Sequence, residues 1–135
     1  MAHSVARPVV ACIDSNVDIT RLLADVLHLE GFRAVPHVTP VRWEASSVVD
    51  FLSMLRPDAC IFSVSLPYTE SWKEFRTLRT AVSSVPFVIT ATNLCALRDV
   101  VGAAQGDPIL GKPFNLDELC QAVRGVLDRR ESSAA

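Results

Sequence analysis

The sequence lacks an excess of charge of either sign, because 13 Lys and Arg residues are balanced by 15 Asp and Glu residues. A net charge of −2 provides no basic stripe for nucleic acid or for an anionic membrane surface. Long hydrophobic runs are also missing, and no stretch reaches the ~18 apolar residues of a membrane span. Residues 1–8 lack the basic start and apolar run of a signal peptide. We therefore expect a cytoplasmic protein that binds neither nucleic acid nor membranes.

Glycine is scarce, at 5 residues, and the sequence contains no glycine-rich phosphate loop, nucleophile elbow or pair of catalytic acids. Cys12, Cys60, Cys95 and Cys120 form no C-x-x-C pair, and the 3 histidines show no metal-ligand spacing. The simplest interpretation of the cysteines is four buried, reduced thiols. The sequence therefore predicts no enzyme, no cofactor and no dedicated metal site.

What is present is a regular alternation of short apolar runs with segments whose apolar residues recur at helical spacing. Short runs rich in β-branched residues predict buried strands, and such strands alternating with helices are typical of a parallel sheet covered on both faces. The 135 residues suit one α/β domain, a doubly wound five-stranded sheet at 8–128 with a polar tail at 129–135. The predicted strands are residues 8–13, 32–38, 59–64, 86–90 and 108–111.

Several local signals give specific expectations for the helices. Thr39 and Pro40 resemble an N-cap followed by proline at the first helical position, and this predicts a helix that places Val41 on its apolar face. Leu116 is expected to point inward from the last helix. Trp43 lies near a segment that is longer than expected, and an exposed aromatic residue there would suggest a partner site.

In sheets of this kind, ligands bind beyond the carboxyl ends of the strands, so the loops after the strands are the places to inspect. Three segments there form a recognisable pattern: the run from Cys12 to Ile19, the stretch from Arg56-Pro57-Asp58 to Leu66-Pro67, and Gly111-Lys112-Pro113-Phe114. In this order and spacing, the chain resembles the receiver domain of bacterial response regulators over about residues 8–128. The resemblance implies a CheY-like, flavodoxin-like sheet of strand order 2-1-3-4-5.

The chemistry that this family performs implies a role for each matching residue. An aspartate accepts a phosphoryl group from a phosphohistidine, Mg²⁺ held by neighbouring acids neutralises charge, and a lysine and a hydroxyl bind the phosphate oxygens. The resemblance places Asp14 and Ser15 at the two acidic positions, Ser63 at the phosphoacceptor and Lys112 at the lysine. A serine hydroxyl is neutral and a poor nucleophile without an adjacent base. The resemblance therefore implies a pseudo-receiver that histidine kinases do not phosphorylate.

The position of the phosphate-binding hydroxyl stays open between two neighbours. Counting backward from Lys112 gives Thr90, whereas counting forward from Pro86 gives Ala91. We favour Thr90, because a missing residue is easier to absorb in the loop around residues 105–107 than inside a buried strand. The aromatic switch position of the family is occupied by Ile109.

Ser63 and Asp14 each have more than one interpretation. Ser63 could fill the space of a carboxylate that is no longer needed, or be the target of a serine kinase, or be misassigned by the alignment. Asp14 is expected to pair with Lys112 at a helix entry, with a weak Mg²⁺ site at Asp14 as the alternative.

The function that these features favour is a degenerate receiver that acts in signal transduction through protein–protein contacts without phosphorylation. Its partner would be a kinase, an output protein or another signalling protein, and the face near Leu97, Val100, Ile109 and Val123 could bind it or form a homodimer. One alternative is a receiver phosphorylated by a non-standard geometry, for example at Asp14. Another is a small-molecule-binding or enzymatic protein on the same fold. Whether the chain is free-standing or the first part of a longer regulator stays open.

Overall fold

The computed structural model describes residues 7–102 and 106–134, and of residues 131–134 only the helical backbone. All strands of its sheet are parallel, in the order β2-β1-β3-β4-β5, so the predicted α/β fold and strand order are confirmed. The elements, in chain order, are β1 (Val9–Asp14), α1 (Val17–Leu29), β2 (Arg33–Val38), α2 (Ala45–Leu55), β3 (Ala59–Ser63), α3 (Tyr68–Ala81), β4 (Phe87–Ala91), α4 (Leu94–Val101), β5 (Ile109–Gly111) and α5 (Leu116–Ala134).

Helices bury both faces of β1, β3 and β4, which explains why these strands are almost wholly apolar, whereas the edge strand β2 carries the exposed Arg33 and the partly exposed His37. One core lies between the sheet and α2, α3 and α4, and it is rich in aromatic rings such as Phe62, Phe75 and Phe87. The other core lies between the sheet and α1 and α5, and it is built from aliphatic residues such as Leu27 and Leu119. Within the described residues, no helix has the length and apolar character needed to span a bilayer.

Asparagine side chains begin three of the helices directly after a strand. Asn16 Oδ1 accepts hydrogen bonds from the backbone N–H groups of Asp18 at 2.9 Å and Ile19 at 3.2 Å. Asn93 Oδ1 accepts from Ala96 at 3.0 Å, and Asn115 Oδ1 accepts from the residue two positions later at 2.7 Å. These caps satisfy backbone donors that a helix start leaves unpaired, and they set α1, α4 and α5 against the carboxyl edge of the sheet.

The connection from β2 to α2 differs from the sequence prediction. The helix begins at Ala45 rather than at Thr39-Pro40, and Val41 is 71% exposed instead of lying on its apolar face. Thr39 N donates to Asp14 O at 3.0 Å, which continues the β1–β2 pairing past the end of β2. Trp43 is buried, with its ring centroid 4.9 Å from that of Phe62 in an edge-to-face arrangement. The predicted start of α2 was wrong, because burying this indole outweighs a local capping signal, and the buried Trp43 does not form an exposed aromatic site for a partner.

The last helix continues past residue 128, so residues 129–134, which the sequence assigned to a polar tail, are helical. Arg130 fixes this end: its Nη1 donates to the Asp58 carbonyl at 2.9 Å and to Asp58 Oδ1 at 3.2 Å. Residue 135 lies outside the described residues, as do residues 103–105, which include residue 105 of the loop around 105–107 where we placed the missing residue. Leu116 was expected to point inward, but it is 37% exposed because it is the first residue of α5, at the sheet edge.

Three of the four cysteines are buried as expected, but Cys95, in the first turn of α4, is exposed. Burial raises the pKa of the Cys12 thiol to about 12. Burial also raises the pKa of Cys60, with a further contribution from Cys12, and burial is the main cause of the raised pKa of Cys120. Since the thiolate is the reactive form, these three thiols are protected by both access and ionisation.

We therefore expect a maleimide reagent to label Cys95 rapidly in the folded protein, and the other three cysteines only after unfolding. Peptide mass spectrometry before and after addition of guanidinium measures this difference. The variant Cys95→Ser serves as the control and should take up no label while folded. Rapid labelling of Cys12 or Cys60 in the native protein would contradict the burial of β1 and β3.

The aromatic cluster generates a second expectation. Phe75 is fully buried, and its ring lies 5.4 Å from the Phe62 centroid and 5.1 Å from the centroids of both Trp72 and Phe87. Replacing a buried Phe by Ala typically costs about 3–5 kcal/mol, because it leaves a cavity as well as removing apolar contacts. Urea unfolding of Phe75→Ala should show such a loss. Met54→Ala, at an exposed position of α2, should change the free energy of unfolding by less than about 0.5 kcal/mol.

Candidate functional site

Three side chains predicted to form the degenerate phosphoacceptor pocket meet at the carboxyl edge of the sheet. Asp14 ends β1, Ser63 ends β3, and Lys112 follows β5. Lys112 Nζ lies 2.6 Å from Asp14 Oδ2 and 2.9 Å from Ser63 Oγ. The ammonium group of Lys112 therefore links the ends of the adjacent strands β1 and β3 to the end of β5, which lies on the far side of β4.

The backbone fixes where the lysine begins its reach. Lys112 N donates to Ala91 O at 2.8 Å, so the residue is held against the end of β4. β3 and β5 are separated by β4, which places them about 10 Å apart at the usual strand spacing. Gly111 helps to close this edge, since a Cβ there would lie 3.2 Å from the Leu94 Cβ at the start of α4. Position 112 therefore requires a long, flexible side chain that can reach Asp14 and Ser63.

The strand register decides which residue of β4 lies beside Ser63. Thr90 is the direct partner of Ser63 in the β3–β4 ladder, and residues paired in this way project from the same side of a parallel sheet. Val88 lies in the core beneath α1 and α5, and so Thr90, two positions later, is on that side as well. Ala91 belongs to the opposite core. Thr90, rather than Ala91, therefore lies beside Ser63 on this side of the sheet, where it is almost fully buried.

Both carboxylate oxygens of Asp14 already have partners. Oδ2 accepts from Lys112, and Oδ1 accepts from Asn16 N at 3.0 Å. The Asp14 side chain is 5% exposed, so few directions remain from which another group could approach it. Ser15, the neighbour at the second acidic position, is exposed and contributes no carboxylate.

These residues do not fit the Mg²⁺ ion that the family resemblance implies. Mg²⁺ binds oxygen ligands, gives up water reluctantly and is normally held by carboxylates together with phosphate oxygens. The pocket contains one carboxylate, and Lys112 already neutralises it. Across the part of the chain that the structure describes, no group of three or more His, Cys, Asp or Glu side chains is arranged to hold a metal ion.

The contact between Lys112 and Ser63 does not activate the serine. An ammonium group has three donors and no acceptor, so Lys112 donates to Ser63 Oγ and cannot take up its proton in that charge state. Asp14, the strongest base nearby, is engaged with Lys112. Activation of a hydroxyl nucleophile requires an adjacent base that can accept the proton. This geometry favours Ser63 as a structural acceptor.

The four residues predicted to form a partner-binding face differ in their exposure to solvent. Leu97 and Val123 are fully buried on the inner sides of α4 and α5, so they cannot contact a partner, and including them was wrong. Ile109 is partly buried and packs against the core formed with α2, α3 and α4. Val100 is 37% exposed and is the member of the set that could contact another protein.

Tyr68 makes a contact that nothing in the sequence predicted. It is the buried first residue of α3, and its hydroxyl oxygen accepts a hydrogen bond from Asn93 N at 2.8 Å. This bond joins the start of α3 to the loop after β4. No spacing rule links residues that are 25 positions apart in this way.

Comparison with known proteins finds relatives among response regulators, the family that the residues resemble. No family model matches the chain. The transcriptional regulatory protein PrrA of Mycobacterium tuberculosis is 28% identical over 135 residues, covering 99% of this chain, and TrcR of the same organism is 25% identical over 121 residues. A CheY-like receiver domain protein from Methanospirillum hungatei has a TM-score of 0.74 at 16% identity, over 95% of this chain and 99% of that one. These comparisons support a response regulator receiver domain.

The chain spans about half the length of the curated relatives it matches, 56% for PrrA and 45% for TrcR. A sensor protein from Polaromonas has a TM-score of 0.76 at 19% identity, over 92% of this chain and 98% of that one. At such low identity the structural likeness establishes the receiver fold alone. What distinguishes this receiver domain must be argued from its own side chains.

The Lys112–Asp14 ion pair predicts that replacing Lys112 lowers the free energy of unfolding much more than replacing an exposed arginine does. Lys112→Met leaves the buried Asp14 carboxylate without its counter-charge and should lower the free energy of unfolding by about 2–4 kcal/mol. Arg124→Met removes a pair with Glu30 in which both side chains are more than 40% exposed, and it should cost less than about 1 kcal/mol. Urea unfolding at neutral pH compares the two.

A double-mutant cycle separates the ion pair from simple loss of packing. Asp14→Asn in the Lys112→Met background removes the unpaired charge and should recover part of the lost stability. If the two substitutions instead add without interaction, the ion pair contributes nothing to folding.

Proposed function

We propose that this chain is the receiver domain of a two-component signalling protein and that it acts through protein contacts without accepting a phosphoryl group at residue 63. The observation that carries the proposal is the simultaneous contact of Lys112 with Asp14 and Ser63 at 2.6 and 2.9 Å. In this arrangement the lysine is already occupied by two protein oxygens. A phosphorylated receiver would need it for the phosphate oxygens.

The charges in the pocket support the same proposal. The receiver pattern has three carboxylates, counting the phosphoacceptor, around one lysine, so it carries a net negative charge that a divalent cation can neutralise. Here Asp14 and Lys112 form a neutral pair, and Ser15 and Ser63 add no charge. A cation would gain little at this site, and a transferring phosphoryl group would find no metal to balance its charge.

A receiver of this kind can still change state, because a partner that binds one conformation more tightly shifts the population toward it. We propose that the partner is a cytoplasmic signalling protein, either a kinase or an output protein. The curated relatives are named as transcriptional and response regulators, which supports an output of this type for the longer protein. We propose no catalytic activity for this domain.

The alternative phosphoacceptor, Asp14, is disfavoured by its contacts. A carboxylate attacks phosphorus through a free oxygen lone pair that faces the donor. One Asp14 oxygen is held by Lys112 and the other by the backbone of Asn16, and the side chain is 5% exposed.

Treatment with acetyl phosphate and Mg²⁺ tests the proposal. Intact-mass spectrometry should show no added phosphoryl group on the natural sequence, and millimolar Mg²⁺ should leave its melting temperature unchanged, because a site of micromolar affinity would raise it by several degrees. The double variant Ser15→Asp, Ser63→Asp restores the acidic set around Lys112. It should bind Mg²⁺ and gain the mass of one phosphoryl group.

The single variant Ser63→Asp acts as the control. It places a second carboxylate beside Asp14 with one lysine to share, and without Mg²⁺ it should be less stable by about 1–3 kcal/mol. Mg²⁺ should restore part of that loss. Phosphorylation of the natural sequence that survives Ser63→Ala but is lost in Asp14→Asn would overturn the proposal and identify Asp14 as the acceptor.

A further inference from the structure

A second site lies at the opposite, amino-terminal edge of the sheet. A cleft of about 390 Å³ opens there beneath the start of β4, between the end of α3 and the end of α5. Its volume falls within the range of pockets that hold small ligands. The residues that line it are Arg79, Ser83, Ser84, Val85, Pro86, Asp107, Val126, Arg129 and Arg130.

The charge in this cleft is positive. Three arginines line it with one carboxylate, that of Asp107, which gives 3 − 1 = +2. Arg79 Nε lies 2.8 Å from Asp107 Oδ2, and Arg130 also pairs with Asp58 outside the lining, so a charge of +1 remains when Asp58 is included. Burial raises the pKa of Asp107, while the charges of Arg79 and Arg129 lower it.

The cleft is lined by both polar and apolar groups. Guanidinium groups form paired hydrogen bonds with phosphate or carboxylate oxygens, and the Ser83 and Ser84 hydroxyls add further donors. Val85, Pro86 and Val126 supply an apolar surface beside them. A site with cationic donors next to an apolar wall suits an organic anion better than an inorganic one.

We propose that this cleft binds a small organic phosphate, a phosphate monoester whose organic group lies against Val85, Pro86 and Val126. A phosphate monoester offers three acceptor oxygens and about −1.5 to −2 charge at neutral pH, so it can accept hydrogen bonds from more than one of the lining guanidinium groups at once, which a monocarboxylate does less well. The ligand would contact α3, α5 and the segment before β5 together. The proposal does not depend on the state of Ser63.

The surface leading to the cleft favours the same ligand. Arg76 and Thr80 form an adjoining groove with Arg79 and Ser83, which also line the cleft. Lys73 continues this strip along α3. The acidic residues of that helix, Glu70 and Glu74, line neither the groove nor the cleft. A continuous positive surface of this kind raises the local concentration of anions and speeds their association.

Phenyl phosphate is the probe that we would titrate into the ¹⁵N-labelled chain at constant ionic strength. The backbone amide signals of Ser83, Ser84 and Val85 should shift and saturate with a dissociation constant of about 1 mM or tighter. Arg129→Gln should weaken binding about tenfold, because a charge-assisted contact is lost. Arg21→Gln, on the exposed face of α1, is the matched control and should leave the dissociation constant unchanged.

Two further measurements test the proposal even if Arg129→Gln lowers the stability of the protein. Asp107→Asn removes the negative charge of the lining and should tighten binding severalfold. Inorganic phosphate should bind more weakly than phenyl phosphate, since it gains nothing from the apolar wall. The proposal is wrong if the amide signals do not saturate, if Arg129→Gln binds as tightly as Arg21→Gln, if Asp107→Asn fails to tighten binding, or if inorganic phosphate binds as well as its phenyl ester.

Discussion

The carboxyl edge of this sheet depends on one constraint, which is that the buried carboxylate of Asp14 must be neutralised. An ionised carboxylate removed from water is costly unless it is paired and hydrogen-bonded. Lys112 provides the charge at 2.6 Å and Asn16 N provides the hydrogen bond at 3.0 Å. The first contact ties the end of β1 to the residue after β5, and the second begins α1. The same ammonium group also reaches Ser63, so one cation sets the positions of three strand ends.

A serine at position 63 satisfies this constraint, whereas an aspartate there would not. A hydroxyl accepts a hydrogen bond from Lys112 without adding charge, and so the pocket is neutral with the residues it contains. A second carboxylate would compete with Asp14 for one lysine and would need a metal ion to balance it. Under the function proposed above, a change in the state of the domain comes from a partner that binds two conformations with different affinity.

The fold could be predicted from the sequence because its central strands are almost wholly apolar, and because Asp14, Ser63 and Lys112 lie at or just after the ends of its strands in a known order. The positions of individual side chains were harder to predict from the sequence. Capping signals at Thr39 and Pro40 predicted the wrong start of α2, since the burial of Trp43 against Phe62 is a long-range contact that no local pattern reports. Helical spacing likewise indicates which residues share a face but not how deeply they lie, and so Leu97 and Val123 were mistaken for surface. The amino-terminal cleft was missed because its arginines come from α3 and α5, far apart in the chain.

The two ends of the sheet share α5 as a connecting element. This helix starts shortly after Lys112 and carries Arg129 and Arg130 to the cleft at the other end. Between them, Leu119, Val123 and Val126 are buried against the sheet in the same core as Leu27. To transmit a signal along its axis, α5 would have to move these side chains out of a close-packed core, and coupling between distant sites requires such an element to have two stable arrangements. The packing of α5 instead favours two ends that respond independently, one neutral and closed, the other positive and open.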